Sequence, residues 1–189
     1  MVTKEIYLDL DGVCVDLYSA AIAAHGLDPN EMLSKWGTHH QGEFYPYRVL
    51  DMDKDAFWDR ITELGRSFWA ELEPFPWFEA LYGSLEQHGH VVFCSSANRS
   101  PDCLSGKLLW LQARFGHKFN EYVFTFHKDR LAHPSAYLID DFELNVSKFR
   151  QREGNGILFP QIWNANHMVE IDRLEYVLDR LSANRNARC

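Results

Sequence analysis

No stretch of this chain approaches the ~20 apolar residues of a membrane-spanning helix, which excludes an α-helical membrane protein. A signal-peptide apolar core is also missing, since Lys4 and Glu5 lead straight into the first apolar run. Basic residues gather only in a short end, Arg185 to Arg188, that reads as a frayed tail. With a formal net charge of −8 and no basic stripe, a nucleic-acid-binding surface is not expected. Cysteine is scarce: the four present have no paired spacing, so neither a disulfide framework nor a zinc site is indicated. Cys14 and Cys94 fall beside apolar runs and read as small buried hydrophobes, and Cys103 and Cys189 offer no zinc pattern. A reducing cytoplasm fits this usage. There is no internal repeat and no low-complexity segment. An EF-hand is excluded as well: in the run from Asp9 the glycine is fourth and the twelfth position is Ala20, where that loop needs glycine sixth and glutamate twelfth.

What is present is an apolar fraction of 46% with six Trp and thirteen Phe, in 189 residues. That is enough for one domain with a real core plus an insertion. Ile6-Tyr7-Leu8 is a short strand that empties into Asp9-Leu10-Asp11-Gly12. After Asp16 the pattern turns helical for roughly sixty residues. Asp28-Pro29-Asn30-Glu31 predicts a helix start with Asp28 as N-cap, Pro29 at the first position and Glu31 closing a capping box, and Gly37 as the stop. Gly37 to Pro46 reads as loop, Asp53 opens a second helix ending before Gly65, and a third runs from Pro76 to His88. From residue 90 strands alternate with helices: Val91 to Cys94, Tyr122 to Phe126, Ala136 to Ile139 and Ile157 to Phe159 are strands, with helices after Ser100, around Val146 and Phe149, and from Ile171 to Leu181. The expected fold is α/β: a doubly wound parallel five-stranded sheet with a helical cap inserted after the first strand. Its division would be 1–16 and 81–189 for the core and 17–80 for the cap.

Four strand ends then carry polar residues: Asp9 and Asp11, Ser95-Ser96, Lys128 just beyond Phe126, and Asp140-Asp141. Open α/β sheets bind ligands at that edge. Each element alone has a plainer account: Asp-x-Asp-Gly as an exposed turn, Ser95-Ser96 as a strand-to-helix turn, Lys128 as a solvated lysine, the Asp pair as a helix cap. Their joint occurrence in this order is much harder to produce by accident. Two adjacent carboxylates ending a buried strand need positive charge nearby. A divalent cation supplies it most simply, and Mg²⁺ takes few protein oxygens and completes its shell with water and phosphate.

Between Glu5 and Phe159 the chain resembles the haloacid dehalogenase (HAD) superfamily of phosphotransferases. The resemblance lies in Asp9-Leu10-Asp11-Gly12-Val13, the hydroxyl residue closing Val91 to Ser95, Lys128, and Asp140-Asp141. Within that superfamily it looks most like the 5′(3′)-deoxyribonucleotidases, through Phe68-Trp69-x-x-Leu72-Glu73-Pro74-x-Pro76, Phe93-Cys94-Ser95-Ser96, Lys107-x-x-Trp110-Leu111 and Leu138-Ile139-Asp140-Asp141. It departs from them at Ala97, where a proline often follows the hydroxyl pair, and at Phe126-His127, where Arg-Asp commonly precedes the lysine.

The resemblance implies that Asp9 attacks phosphorus to form an aspartyl-phosphate, and that Asp11 protonates the leaving alkoxide and then deprotonates water. Asp11 would start protonated, its pKa raised by neighbouring carboxylates. Mg²⁺ would take Asp9, the Asp11 carbonyl and Asp141, with Asp140 behind it or sharing the role. Ser95 and the amides near Ser96 and Ala97 would hold phosphoryl oxygens, and Lys128 would neutralise developing charge. Most of Trp36, Phe44, Trp58, Phe68 and Trp69 are core by default, with one or two free to stack on a base. Phe68 and Trp69 are the first choice, and Phe44 is a further candidate. Asp16 reads equally as a helix cap, and adjacent His39-His40 as solvated loop. The implied substrate is a nucleoside 5′-monophosphate. The alternatives are a sugar phosphate, a nucleic-acid 3′-phosphate end, or a non-catalytic phosphate-binding module. Monomer and homodimer, and the preferred base and sugar, stay open.

Overall fold

A computed structural model describes residues 4–98 and 100–183 of the chain; the expectations for Arg185 to Arg188 and for Cys189 fall outside them. Five strands, β1 (Glu5–Leu8), β2 (His90–Ser95), β3 (Tyr122–Phe124), β4 (Ala136–Asp140) and β5 (Asn155–Leu158), form one sheet. All neighbours are parallel and the order is β3-β2-β1-β4-β5, so the chain winds outward in both directions from β1. The strands are continuous apolar runs because both faces are covered. On one face Ile6, Leu8, Phe93 and Ile139 pack with Phe78, Leu81, Trp110, Leu111 and Val177. On the other, Tyr7, Cys94 and Leu138 pack with Phe149. The first face is covered by α6 (Phe78–Glu86), α7 (Pro101–Phe115) and α9 (Arg173–Ala183), the second by α8 (Glu143–Gln151).

Between β1 and α6 lie α1 (Leu17–Ala24), α2 (Pro29–His39), α3 (Pro46–Val49), α4 (Lys54–Glu63) and α5 (Gly65–Ala70). Aspartates start three of them. Asp16 accepts from the Ser19 amide at 3.0 Å, Asp28 from Asn30 at 2.9 Å, and Asp53 from Asp55 and Ala56 at 2.9 and 3.0 Å. Asp16 is therefore a cap. The capping box does not form, because Glu31 instead pairs with Lys35 one turn on, at 2.5 Å. Nor does Gly37 stop its helix: α2 runs on to His39, with the His40 amide closing on the Trp36 carbonyl at 3.0 Å. Fully buried Trp36 anchors that turn and outweighs the ~1 kcal/mol a helical glycine costs. The expected boundary at residue 80 falls inside α6, whose Phe78, Leu81 and Leu85 belong to the sheet's own core. Among the described residues no helix is long and apolar enough to cross a membrane.

Candidate active site

Leu8 pairs with Phe93 on one side and Ile139 on the other, so the residues that follow β1, β2 and β4 emerge level at one edge of the sheet. The chain then turns tightly. The Leu10 carbonyl accepts from the Cys14 and Val15 amides at 2.8 and 2.9 Å, and Gly12 adopts φ +73°. A Cβ at Gly12 would collide with the Asp141 carboxylate, so glycine is required both for the backbone angle and for the close approach. The Trp77 indole donates to the Val13 carbonyl at 2.9 Å and the Gln161 amide to that of Gly12 at 2.5 Å, pinning the turn.

Inside it, Asp9, Asp140 and Asp141 are all buried, each placing a carboxylate oxygen within 4.8 Å of the others. Lys128 meets them from the 3₁₀ turn Lys128–Leu131, at 2.8 Å from Asp9 Oδ1 and 2.7 Å from Asp140 Oδ2. Burial alone would lower the Lys128 pKa, but the carboxylates of Asp140 and Asp9 override it and hold the ammonium charged. One cation does not satisfy three buried acids. Burial, with help from Asp140 and Asp11 and against the pull of Lys128, pushes Asp9 up to about 7. Burial and the charges of Asp140 and Asp9 likewise raise Asp141 well above the usual carboxylate range. The donor set fits a hard divalent cation: oxygens only, crowded, and short of positive charge.

The two acids of the final pair are used differently. Asp140 is held on both oxygens, Oδ1 by the Phe142 amide at 2.8 Å and Oδ2 by Lys128 and by Asn145 at 3.0 Å. Among the described residues the Asp141 carboxylate accepts on Oδ2 alone, from the Trp163 indole at 2.7 Å. Asp9 is held on Oδ1 by the Leu10 amide and Lys128, both at 2.8 Å, and among the described residues no hydrogen bond reaches its Oδ2.

Asp11 lies outside the cluster of three, and a lysine rather than a further carboxylate meets it. Its Oδ2 receives Lys107 Nζ at 2.5 Å, and its Oδ1 has no partner among the described residues. Lys107, which sequence reasoning left without a role, also donates to Ser95 Oγ at 2.9 Å and the Ser96 carbonyl at 2.5 Å. A signal for it existed: Lys107 lies on the face of α7 defined by Cys103, Trp110 and Leu111, and a lysine on an apolar helix face requires a buried partner. Ser95 is fully buried against that lysine and does not line the cavity, whereas Ser96 does.

That cavity, of roughly 390 Å³, opens above the strand ends and has Asp9, Asp11 and Asp141 in its floor. Its aromatic walls are Phe44, Tyr45, Tyr47 and Trp58 from the inserted segment and Phe126 and Phe142 from the core, with Phe44 stacked on Phe142 at 4.1 Å. The Tyr18 hydroxyl donates to the Phe44 carbonyl at 3.1 Å and the Trp36 indole to that of Glu43 at 2.9 Å, which fixes the loop carrying Phe44. Phe68 and Trp69, the first choices for base contact, do not line the cavity. Gly106 lets α7 approach α5 so closely that a Cβ would strike Trp69 and the Arg66 carbonyl. Trp69 is thereby sealed in the helix interface, 2% exposed, and Phe68 packs partly buried beside it.

This sheet order, with helices inserted after the first strand, is the fold of the HAD-superfamily hydrolases. Among solved structures, the HAD-hydrolase YfnB from Bacillus subtilis, in a form bound to magnesium, superposes with a TM-score of 0.58 at 13% identity, covering 96% of this chain and 99% of that one. A subfamily IA HAD hydrolase from Geobacter sulfurreducens gives 0.56 at 14% identity, over 95% and 96%. A hydrolase from Streptococcus pneumoniae gives 0.51 at 16%, over 90% and 100%. No curated protein matches the chain. The family described as 5′ nucleotidase, deoxy (pyrimidine), cytosolic type C protein (NT5C) matches residues 3–179, and the chain belongs to it. It is a phosphatase of the 5′-nucleotidase type.

Proposed function

We propose that the protein is a magnesium-dependent phosphatase that hydrolyses deoxyribonucleoside 5′-monophosphates through an aspartyl-phosphate on Asp9. The observation that carries this reading is the buried Asp9–Asp140–Asp141 cluster, underprovided with cations, in the floor of a cavity walled by aromatics. Cavities of ~300–1,000 Å³ lined mainly by apolar side chains take small organic ligands, with a few polar groups to orient them. The helices α1 to α5, inserted between β1 and α6, serve as the cap that closes over the core. The setting is cytoplasmic and the partner a small nucleotide.

Asp9 Oδ2 attacks phosphorus, while Oδ1 stays anchored by the Leu10 amide and Lys128. As the bond to the leaving oxygen breaks, Asp11 gives that oxygen a proton. Asp11 then takes a proton from water, whose oxygen attacks phosphorus and frees Asp9. Lys128 stays beside the reacting carboxylate, and the amides near Ser96 and Ala97 hold phosphoryl oxygens. Lys107 positions Asp11 through its contact with Oδ2. Mg²⁺ would be held by Asp9, the Asp11 carbonyl and the free oxygen of Asp141, with Asp140 orienting Lys128. When bound, it supplies the positive charge that keeps Asp9 and Asp141 ionised and offsets the charge of the phosphoryl group.

Screening against monophosphates tests the substrate. Deoxyribonucleoside 5′-monophosphates are expected ahead of sugar phosphates and of 3′-phosphorylated oligonucleotides; sugar phosphates in the lead would refute the nucleotide reading and leave the phosphatase chemistry standing. Phe44→Ala is expected to erode that preference by roughly 5- to 150-fold, since stacking of a base on an aromatic contributes roughly 1–3 kcal/mol. Hydrolysis of an aryl phosphate should be spared. Loss on both substrates alike would assign Phe44 to packing.

Chelation should silence the enzyme, Mg²⁺ should restore it, and Ca²⁺, with its longer and looser shell, should restore it poorly. Metal-free protein should also show a pH signature. The Asp9 and Asp141 pKa values are raised on folding, so their protonation stabilises the native state; that contribution fades as pH rises above the unfolded values, through about 7 for Asp9. Chelated protein should therefore melt at a lower temperature near about pH 8 than near about pH 5, and Mg²⁺ should raise the melting temperature most at the higher pH. A Tm indifferent to Mg²⁺ at both pH values would count against the site.

A further inference from the structure

The loop that follows β5 contacts the Gly12 turn, Asp141 and the inserted helices, yet nothing in the chemistry above uses it. Gln161 holds the Gly12 carbonyl. Asn164 Nδ2 donates to the Asp141 carbonyl and to the Phe159 carbonyl, both at 2.8 Å. Between them Trp163, 3% exposed, donates its indole N–H to Asp141 Oδ2 at 2.7 Å. The ring itself is gripped by the inserted segment: it lies 4.1 Å from the Tyr18 ring of α1 and 5.8 Å from the Trp36 ring of α2. The Gly42 amide adds a bond to the Ile162 carbonyl at 2.9 Å.

We infer that Trp163 is a positioning residue for the cation site: it fixes the orientation of the Asp141 carboxylate by committing one of its oxygens to the indole. The inference rests on the magnesium reading of that cluster. An indole N–H is a donor only, so it exchanges no proton with Asp141 and acts through the hydrogen bond alone. A hydrogen bond from a buried donor is directional and fixes the oxygen that accepts it. The ring that carries the donor cannot swing away, because Tyr18 and Trp36 pack against it and the Gly12 turn lies against its edge. Asp141 is therefore pre-set before any cation arrives, and what sets it is aromatic packing from the inserted helices. Such outer partners of ligating carboxylates typically matter ~10–100-fold in metal affinity.

The test is direct binding, without turnover. Mg²⁺ is titrated calorimetrically into metal-free wild-type protein and into Trp163→Phe, which keeps an aromatic ring in the pocket and loses the donor. Binding weaker by about 10–100-fold in the variant is expected. Equal affinity in the two proteins overturns the inference while leaving the magnesium site intact. Absence of binding by the wild type overturns the magnesium reading and the inference with it. Should Trp163→Phe fail to fold, the wild type carries the test: the ¹⁵N-labelled indole resonance of Trp163, assigned from its contacts with the Tyr18 ring, must shift on Mg²⁺ addition. A Trp163 resonance unmoved at saturating Mg²⁺ refutes the role.

Discussion

Asp9→Asn is expected to abolish phosphate release while leaving the fold intact. The amide matches the carboxylate in volume, and the Leu10 N–H still finds an acceptor oxygen. What disappears is the nucleophile, not an assisting group. The loss should therefore exceed the ~10²–10⁴-fold typical of a single acid–base residue. Stability should move the other way. Asp9 is crowded by two buried acids, and burial pushes its pKa up to about 7. Removing that charge relieves repulsion, although the ion pair to Lys128 at 2.8 Å is lost as well. In the absence of metal the variant should melt no lower than wild type, and Mg²⁺ should stabilise it less than it stabilises wild type. Steady-state turnover and thermal melts with and without Mg²⁺ check both halves. A variant with a tenth of wild-type activity would end the covalent mechanism.

Asp11→Asn should be nearly as damaging with nucleotides, by about 10²–10⁴-fold, because both half-reactions need its proton transfer. The damage should depend on the leaving group. An alkoxide leaving a deoxyribose needs a proton as the bond breaks, and an aryl oxide does not. With an aryl phosphate the first step should therefore survive while the second, which needs water deprotonated, stalls. A burst of aryl alcohol stoichiometric with enzyme, followed by a near-stop, is the expected trace. Equal loss in both phases would remove the acid–base role from Asp11 and leave it a positional one beside Lys107.

The sheet and the acid pairs were legible because strands buried on both faces appear as uninterrupted apolar runs, and charges directly after such runs stand out. β1 and β4 are of this kind, so the sequence alone sets Asp9, Asp140 and Asp141 at one edge. Lys107 reached Asp11 across 96 positions of sequence, a contact that no local pattern encodes. Trp163 escaped for the same reason, since its partner lies in another loop and its ring in another layer. The aromatics show the limit of periodicity most plainly. Trp69 and Phe44 are equally apolar on paper; Gly106 draws α7 onto Trp69 and buries it, while bonds from Tyr18 and Trp36 present Phe44 to the cavity. Helix ends failed where tertiary packing outweighed local preference, as at Gly37, where buried Trp36 carries α2 onward.

The covalent step can be seen directly. Asp11→Asn protein is mixed with Mg²⁺ and an aryl phosphate, quenched in acid during the stalled phase, reduced with borohydride and digested. The account predicts stoichiometric, hydroxylamine-labile phosphate on the protein before reduction, and homoserine in place of Asp9 after it. Release of aryl alcohol with no phosphate on the chain, or with phosphate on any residue other than Asp9, would contradict it.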